Sequence, residues 1–198
     1  MKTLILASQS PRRSQILKNN NIYFVPYPVY VSEISDKNLS INDQIIDIAR
    51  RKAHACLDQY PHLQDEHLIL SADTMVCIDN EAIGKAENRA EAFNTLKKLS
   101  DQTHFVKTAI HLLDVLTKKE VSYIETSDVK FKKLSDLEIE TYLNCGEYTD
   151  KAGSYGLQGK GKNLVKEISG DYNNIIGLPL NALLKILNDY QWNLKNAV

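Results

Sequence analysis

The segment ASQSPRR, residues 7–13, places two adjacent arginines directly behind a Ser-Pro pair, at the end of the apolar run TLILA. Ser10 reads as an N-cap and Pro11 as the first helical position, so backbone N–H groups point outward from a helix start where the macrodipole is positive. Arginines there are disfavoured by about 0.3–1 kcal/mol, whereas each charge-assisted hydrogen bond to an anion contributes roughly 1.5–3 kcal/mol. Binding therefore outweighs repulsion only when an anion fills the site. The guanidinium forks of Arg12 and Arg13 match phosphate oxygens, and the hydroxyls of Ser8 and Ser10 add donors. A solvated helix start whose arginines pair with Asp or Glu fits the local pattern equally well.

A second feature is SADTMV, residues 71–76, with Asp73 inside an otherwise apolar strand. Such a carboxylate must be satisfied, by a structural hydrogen bond or by a cation or water on which it acts. Glu33, in a Pro-flanked loop, is a second carboxylate that could share a metal with Asp73. Mg2+ needs only one or two carboxylates beside substrate phosphates, so sparse acidic residues do not argue against it. The third feature is DKAGSYGLQGKG, residues 150–161, whose glycines permit tight turns and close backbone approach to a ligand. It matches neither a P-loop nor a dinucleotide fingerprint. Gln158 in it could read a base edge or be a plain polar loop residue. Lys52 on a helix and Lys85 after the turn IGK are further cations, and lone lysines are usually solvated.

Other chemistries lack their residues. The histidines show no HExxH or paired ligand spacing, which argues against a zinc enzyme. No GxSxG elbow or Cys-His pair supports covalent catalysis.

The elements that must position these groups can be read from periodicity. Residues 3–7 form a short buried strand and the helix after Pro11 stops at NNN, residues 19–21. Residues 23–35 are extended and broken by Pro26 and Pro28, a strand feeding an exposed loop. From about 42 to 60, Ile45, Ile46, Ala49, Ala53 and Cys56 recur at helical spacing, with Arg50, Arg51 and Lys52 on the same helix. Residues 68–79 form a strand closed by Asp79-Asn80, and 88–99 a helix. A hairpin has arms at 104–116 and 121–131. A capping box, Ser135 with Glu138, opens the next helix, which Gly146 closes. A strand near 164–168 and a helix from about 179 to 188 complete an α/β pattern: a mixed sheet with covering helices.

Composition bounds the rest. The chain has 198 residues, 43% of them hydrophobic, enough for a real core in one folding unit. Lys and Arg number 24 against 25 Asp and Glu, a formal net charge of -1, so no global field recruits nucleic acid or an anionic membrane. Any anion site is local. Three dispersed cysteines without a CxxC pair point to reduced thiols and a cytoplasmic setting. The opening MKTLILA is too short an apolar run for a secretory signal, and no run is long enough to span a bilayer.

Taken together, the motifs resemble the Maf family of nucleoside triphosphate pyrophosphatases. The landmarks are LILASQSPRR, Glu33 after the second strand, KAHA around Lys52, SADTMV, IGK, QTH at 102–104, DKAGSYGLQGKG and NNIIGLPL at 173–180, in family order over nearly the whole chain. The resemblance implies an α/β fold of the Maf/ITPase-like kind, an elongated mixed β-sheet with flanking helices and two lobes around a cleft, as one domain over residues 1–198. It implies hydrolysis of the α-β phosphoanhydride bond with a divalent metal, Mg2+ or Mn2+. By position, Asp73 matches the proton acceptor and a metal ligand, Glu33 the other metal-site carboxylate, and Ser8, Ser10, Arg12, Arg13, Lys52 and Lys85 the phosphate-binding groups. Arg12, Thr74 and Gln158 match positions linked to base choice.

Thr74 after the Asp, and the Gln of YGLQG, resemble the branch acting on dTTP and UTP, and modified pyrimidine triphosphates with them. A house-cleaning role in the nucleotide pool follows from the resemblance, with a homodimer as a common family state. A non-catalytic nucleotide-binding regulator of septum formation is the alternative from another class; a nucleic-acid binder is opposed by the neutral charge balance. Three positions depart from the usual family pattern: Ser32 before Glu33, Ala86 after Lys85 and Leu164 in place of a common Phe.

Overall fold

In the computed structural model, which describes residues 1–36, 38–64 and 66–196, the apolar run TLIL becomes β1 (Thr3–Leu6), buried along its whole length. It lies parallel to both β2 (Phe24–Pro26) and β3 (His67–Ile78), with Leu4 paired to Phe24 on one side and Leu68 on the other. A continuous apolar strand is what a position covered on both faces requires. Seven strands join one mixed sheet in which β5 is Thr103–Asp114, β6 Glu120–Phe131 and β7 Val165–Ser169; their order is β2-β1-β3-β5-β6-β7, with β4 (Glu81–Ile83) paired to β3. The chain divides into two compact units: Met1–Asp73 with Thr108–Glu125 and Gly177–Val198, and Thr74–Lys107 with Thr126–Ile176.

In the first unit, α1 (Pro11–Asn19) follows β1, and α2 (Ile41–Gln59) is capped by Ser40, whose Oγ accepts from the Asp43 N–H. The buried stripe of α2 is Ile45, Ile48, Ala49, Lys52, Ala53 and Cys56. Ile46 is half-buried and Ile48 takes the core position instead, because Ile48 continues the i, i+3, i+4 stripe and Ile46 stands beside it. A lysine thus occupies the apolar face of this helix. Ile5, Ala53, Cys56, Ile69 and Leu113 are among the residues of this unit's core. Burial pushes the Cys56 thiol up to about 12, so it packs as an inert small hydrophobe.

The extended segment after β2 is shorter as a strand than its composition suggests. Only Phe24–Pro26 pairs, since Pro26 and Pro28 cannot donate to a ladder. Side chains take over the work of backbone pairing. Tyr60 Oη donates to the Pro28 carbonyl at 2.8 Å, Gln9 Nε2 to that of Val29 at 2.9 Å and Gln59 Nε2 to that of Tyr30 at 3.2 Å.

In the second unit, Asp79 and Asn80 both take positive φ, 51° and 60°, and form the two-residue turn from β3 to β4. The helix α3 (Arg89–Leu99) is capped by Asn88 and packs with α4 (Asp136–Leu143), which carries the Ser135–Glu138 capping box expected from its sequence. The strand β7 (Val165–Ser169) runs antiparallel to β6 (Glu120–Phe131). Leu96, Leu99, Phe131, Ile139 and Tyr142 lie at the centre of this core. The hairpin partner β5 (Thr103–Asp114) precedes β6, and α5 (Tyr172–Ile176) and α6 (Leu180–Asp189) follow β7, α6 belonging to the first unit.

His104 is fully buried on β5, against Phe131, with Nε2 2.7 Å from Tyr155 Oη. Burial pushes its pKa down to about 4, so it is neutral in the fold. In the unfolded chain it titrates near 6.5, and the unfolded state therefore takes up the proton first as pH falls. Stability from this group is complete above about pH 6.5 and drains away toward pH 4, with a slope approaching 1.4 kcal/mol per pH unit. His111, also pushed down to about 4 by burial with Glu120 opposing, adds a similar term. His104→Gln is expected to remove about half of this acid-side decline. Urea melts of both proteins between pH 7.5 and 4.5 check it; parallel declines would refute it.

Candidate functional site

The helix start that carries the two arginines is built as its sequence suggests, with one change. Ser10 stands at the N-cap and Pro11 opens α1, but the Ser10 hydroxyl makes no capping bond, and no acidic residue lies in the first turn. Ser8, nearly buried, turns back instead: its Oγ accepts from the Ser10 N–H at 3.1 Å and from Arg13 Nη1 at 3.1 Å. Arg13 Nε donates to the Gly177 carbonyl at 2.8 Å, which ties α1 to the chain entering α6. Burial lowers the Arg13 pKa, Asp73 opposes that, Arg12 adds to it and Glu33 opposes it. The guanidinium stays charged, since its ordinary value lies far above neutrality. Arg12 makes no ion pair or hydrogen bond with any other described residue.

Lys52 joins the two carboxylates. Its Nζ donates to Asp73 Oδ1 at 2.7 Å and to Glu33 Oε1 at 2.8 Å. The Lys52 and Asp73 side chains are 10% and 11% exposed, while Glu33 is 46% exposed. The pair is thus anchored in the interior and opens toward solvent on the Glu33 side. An ammonium has three donors, and two are used here.

Arg51, next to Lys52, holds the loop that delivers Glu33. It donates through Nη2 to the Ile34 carbonyl at 3.0 Å, through Nη1 to the Ser32 carbonyl, and through Nε to Asp47 at 2.9 Å. The carbonyls on both sides of Glu33 are therefore fastened to α2 while Lys52 takes its carboxylate. Nothing in the sequence marks Arg51 as the holder of this loop beyond its adjacency to Lys52, because the loop atoms it holds are backbone carbonyls, and its pairing with Asp47 is an ordinary i,i+4 helix contact. Arg51→Ala is expected to speed proteolytic cleavage within residues 32–35 about tenfold, the loss of one to two charge-assisted hydrogen bonds from a local opening equilibrium. Limited proteolysis with mass mapping checks this; an unchanged cleavage rate would remove the clamp.

The remaining expected residues lie in the second unit. Thr74 follows Asp73 directly on β3 and is half-buried. Lys85, exposed, forms an isolated backbone bridge with Ala152, and the Gly153 N–H donates to the Gly84 carbonyl at 3.1 Å, so the IGK turn and the glycine-rich loop are laid side by side. Buried Tyr155 and Leu157 pin that loop, and Gln158 beyond them is exposed, with no hydrogen bond to any described residue. Two glycines are sterically required. A Cβ at Gly161 would stand 2.2 Å from the Gly156 carbonyl oxygen, and at Gly153, with φ of +68°, one would press on Val76 at 3.0 Å. Glu147, which sequence reasoning passed over, accepts from the Lys160 N–H at 2.8 Å and closes the loop's far side.

What the first unit assembles is a helix start bearing two arginines and a lysine between two carboxylates, on a mixed α/β sheet. That fold is shared with a HAM1 protein from Coxiella burnetii, at a TM-score of 0.57 and 16% identity, over 98% of this chain and 100% of that one. Residues 3–190 match the family model described as Maf-like protein. A relative from Bdellovibrio bacteriovorus, named dTTP/UTP pyrophosphatase, is 45% identical over 188 residues, 94% of this chain and 98% of its own. Another of the same name from Bacillus velezensis is 40% identical over 192 residues, 96% of this chain and 97% of its own. The chain belongs to the Maf family.

Proposed function

We propose that this protein hydrolyses dTTP and UTP between the α and β phosphates, releasing the nucleoside monophosphate and pyrophosphate. The observation that carries the reading is the Lys52 ammonium seated between Asp73 and Glu33, in the same unit as the doubled arginines at the start of α1. The names of the relatives support the choice of substrate. Arg12 and Arg13, with the Ser8 and Ser10 hydroxyls, receive phosphate oxygens, and Lys52 and Lys85 add positive charge as the leaving pyrophosphate develops its own. Asp73 accepts the proton of the attacking water. The water oxygen bonds to phosphorus, the bridging oxygen departs with pyrophosphate, and the water proton ends on the carboxylate. Arg12, Thr74 and Gln158 discriminate the base, Gln158 through its amide.

Glu33 and Asp73 suit a divalent cation. One oxygen of each is held by the Lys52 ammonium, at 2.8 and 2.7 Å, which brings the two carboxylates together, and hard oxygen donors completed by phosphate oxygens fit Mg2+ or Mn2+. Glu33 and Asp73 would hold the ion, and it would supply neutralisation of phosphate charge. Modified pyrimidine triphosphates and clearance of the cytoplasmic nucleotide pool belong to the same proposal; among the described residues no helix is long and apolar enough to cross a membrane.

The test is a pyrophosphate-release screen of purified protein with dTTP, UTP, CTP, GTP, 7-methylguanosine triphosphate and ATP, with Mg2+, Mn2+ or chelator. Metal-dependent release from dTTP and UTP is expected. Preference for 7-methylguanosine triphosphate would overturn the substrate, and nucleotide binding without any turnover would turn the reading to a silent regulator.

A further inference from the structure

His54 on α2, His111 on β5 and Glu120 at the start of β6 are far apart in sequence, yet all lie in the first unit and their ligand atoms stand within 4.8 Å of one another. One carboxylate spans both rings: Glu120 Oε1 is 3.1 Å from His54 Nε2, and Oε2 is 3.2 Å from His111 Nε2. His111 is 1% exposed. Its Nδ1 is 2.7 Å from Ser122 Oγ, and its buried Nε2, without a well-directed hydrogen bond, has the Glu120 carboxylate as its polar neighbour. When Nδ1–H donates to Ser122, the Nε2 lone pair faces the Glu120 carboxylate. In that tautomer two electron-rich groups stand close together, an arrangement that a cation held between them satisfies. Arg50, within electrostatic reach of His111, is engaged with Asp47 at 3.3 Å.

We propose that His54, His111 and Glu120 form a site for a borderline-soft divalent transition metal, Zn2+ by its ligand chemistry, which fastens α2 to the β5–β6 hairpin. Two imidazole nitrogens and a carboxylate are a zinc donor set with a fourth position open, unlike the all-oxygen pair Glu33 and Asp73. Ser122 supplies the outer hydrogen bond that fixes a ligating imidazole's tautomer. Side-chain exposures of 48% for His54 and 34% for Glu120 leave an entry path for the ion, while His111 anchors the site from within. The proposal is independent of the nucleotide reading.

The test titrates the metal-free full chain with ZnCl2 alone, by calorimetry, and with CoCl2 alone, by visible absorption. One Zn2+ per chain is expected, with Co2+ bands of a nitrogen-containing low-coordinate site. His54→Ala and Glu120→Gln, both at half-exposed positions, are expected to weaken Zn2+ binding by more than about 100-fold, and Ser122→Ala by about 10–100-fold. Glu33→Gln with Asp73→Asn leaves this binding intact. Cooperative melts in chelator show that the variants fold. Absence of Zn2+ binding in the wild type, equal binding in the His54→Ala/Glu120→Gln double variant, or loss only in the Glu33→Gln/Asp73→Asn background would each overturn the site.

Discussion

Replacing Asp73 by asparagine is expected to lower kcat for dTTP or UTP by about 10²–10⁴-fold, the usual contribution of a positioned general base. The amide keeps the size of the carboxylate, and its oxygen can still accept from Lys52 Nζ, which now sits 2.7 Å from Oδ1. The core around β3 is therefore preserved, and nucleotide affinity is expected to change far less than turnover. Steady-state pyrophosphate release, paired with nucleotide binding measured under chelation, separates the two effects. If kcat stays within tenfold of wild type, Asp73 is not the proton acceptor; if binding falls as far as turnover, its part is in holding the ligand.

The second large effect concerns stability. Lys52 is the cation paired at 2.7 Å with Asp73, whose side chain is 11% exposed, and Lys52→Met removes it while keeping the apolar stem. Glu33, half-exposed, can turn to water, so the penalty falls on Asp73. Breaking a buried pair from one side typically costs about 3–5 kcal/mol, which for a domain of this size lowers Tm by roughly 6–20 °C. Removing both partners is far milder. The Lys52→Met/Asp73→Asn double variant is accordingly expected to melt above the Lys52→Met single variant. Thermal melts of the four proteins complete the cycle. A single variant within about 2 °C of wild type, or a double variant no better than the single, would show that the pair is not the support it resembles.

Much of this was legible before any coordinates. Local chemistry carried the Ser135–Glu138 capping box, the Asp79-Asn80 turn and the Pro11 start of α1, because each depends on atoms within a few residues. Lys52 was marked by the family resemblance, but as a lone lysine it read as solvated; the fold puts it on the buried stripe of α2, between Ala49 and Ala53, where an ammonium needs a reason. The Ser10 hydroxyl was misread as a cap, since the competing partner that reorganises this corner, Ser8 Oγ with Arg13, comes from a turn that helix signals do not describe. The loop-holding parts of Arg51 and Glu147 were passed over because the atoms they hold there are backbone groups, which every residue possesses and no motif records.

By itself, then, the sequence determined the order and ends of most elements, the neutral overall field, the family and the residues proposed to handle phosphate. Tertiary structure alone decided which of those residues meet. That Lys52 bridges Glu33 and Asp73, that His104 holds Tyr155, and that His54, His111 and Glu120 converge are contacts between elements distant in the chain. Periodicity states which face of an element is buried, but the rotation and slide of one element on another come from close packing of whole cores. A side chain's partner across such an interface is therefore a property of the assembled fold.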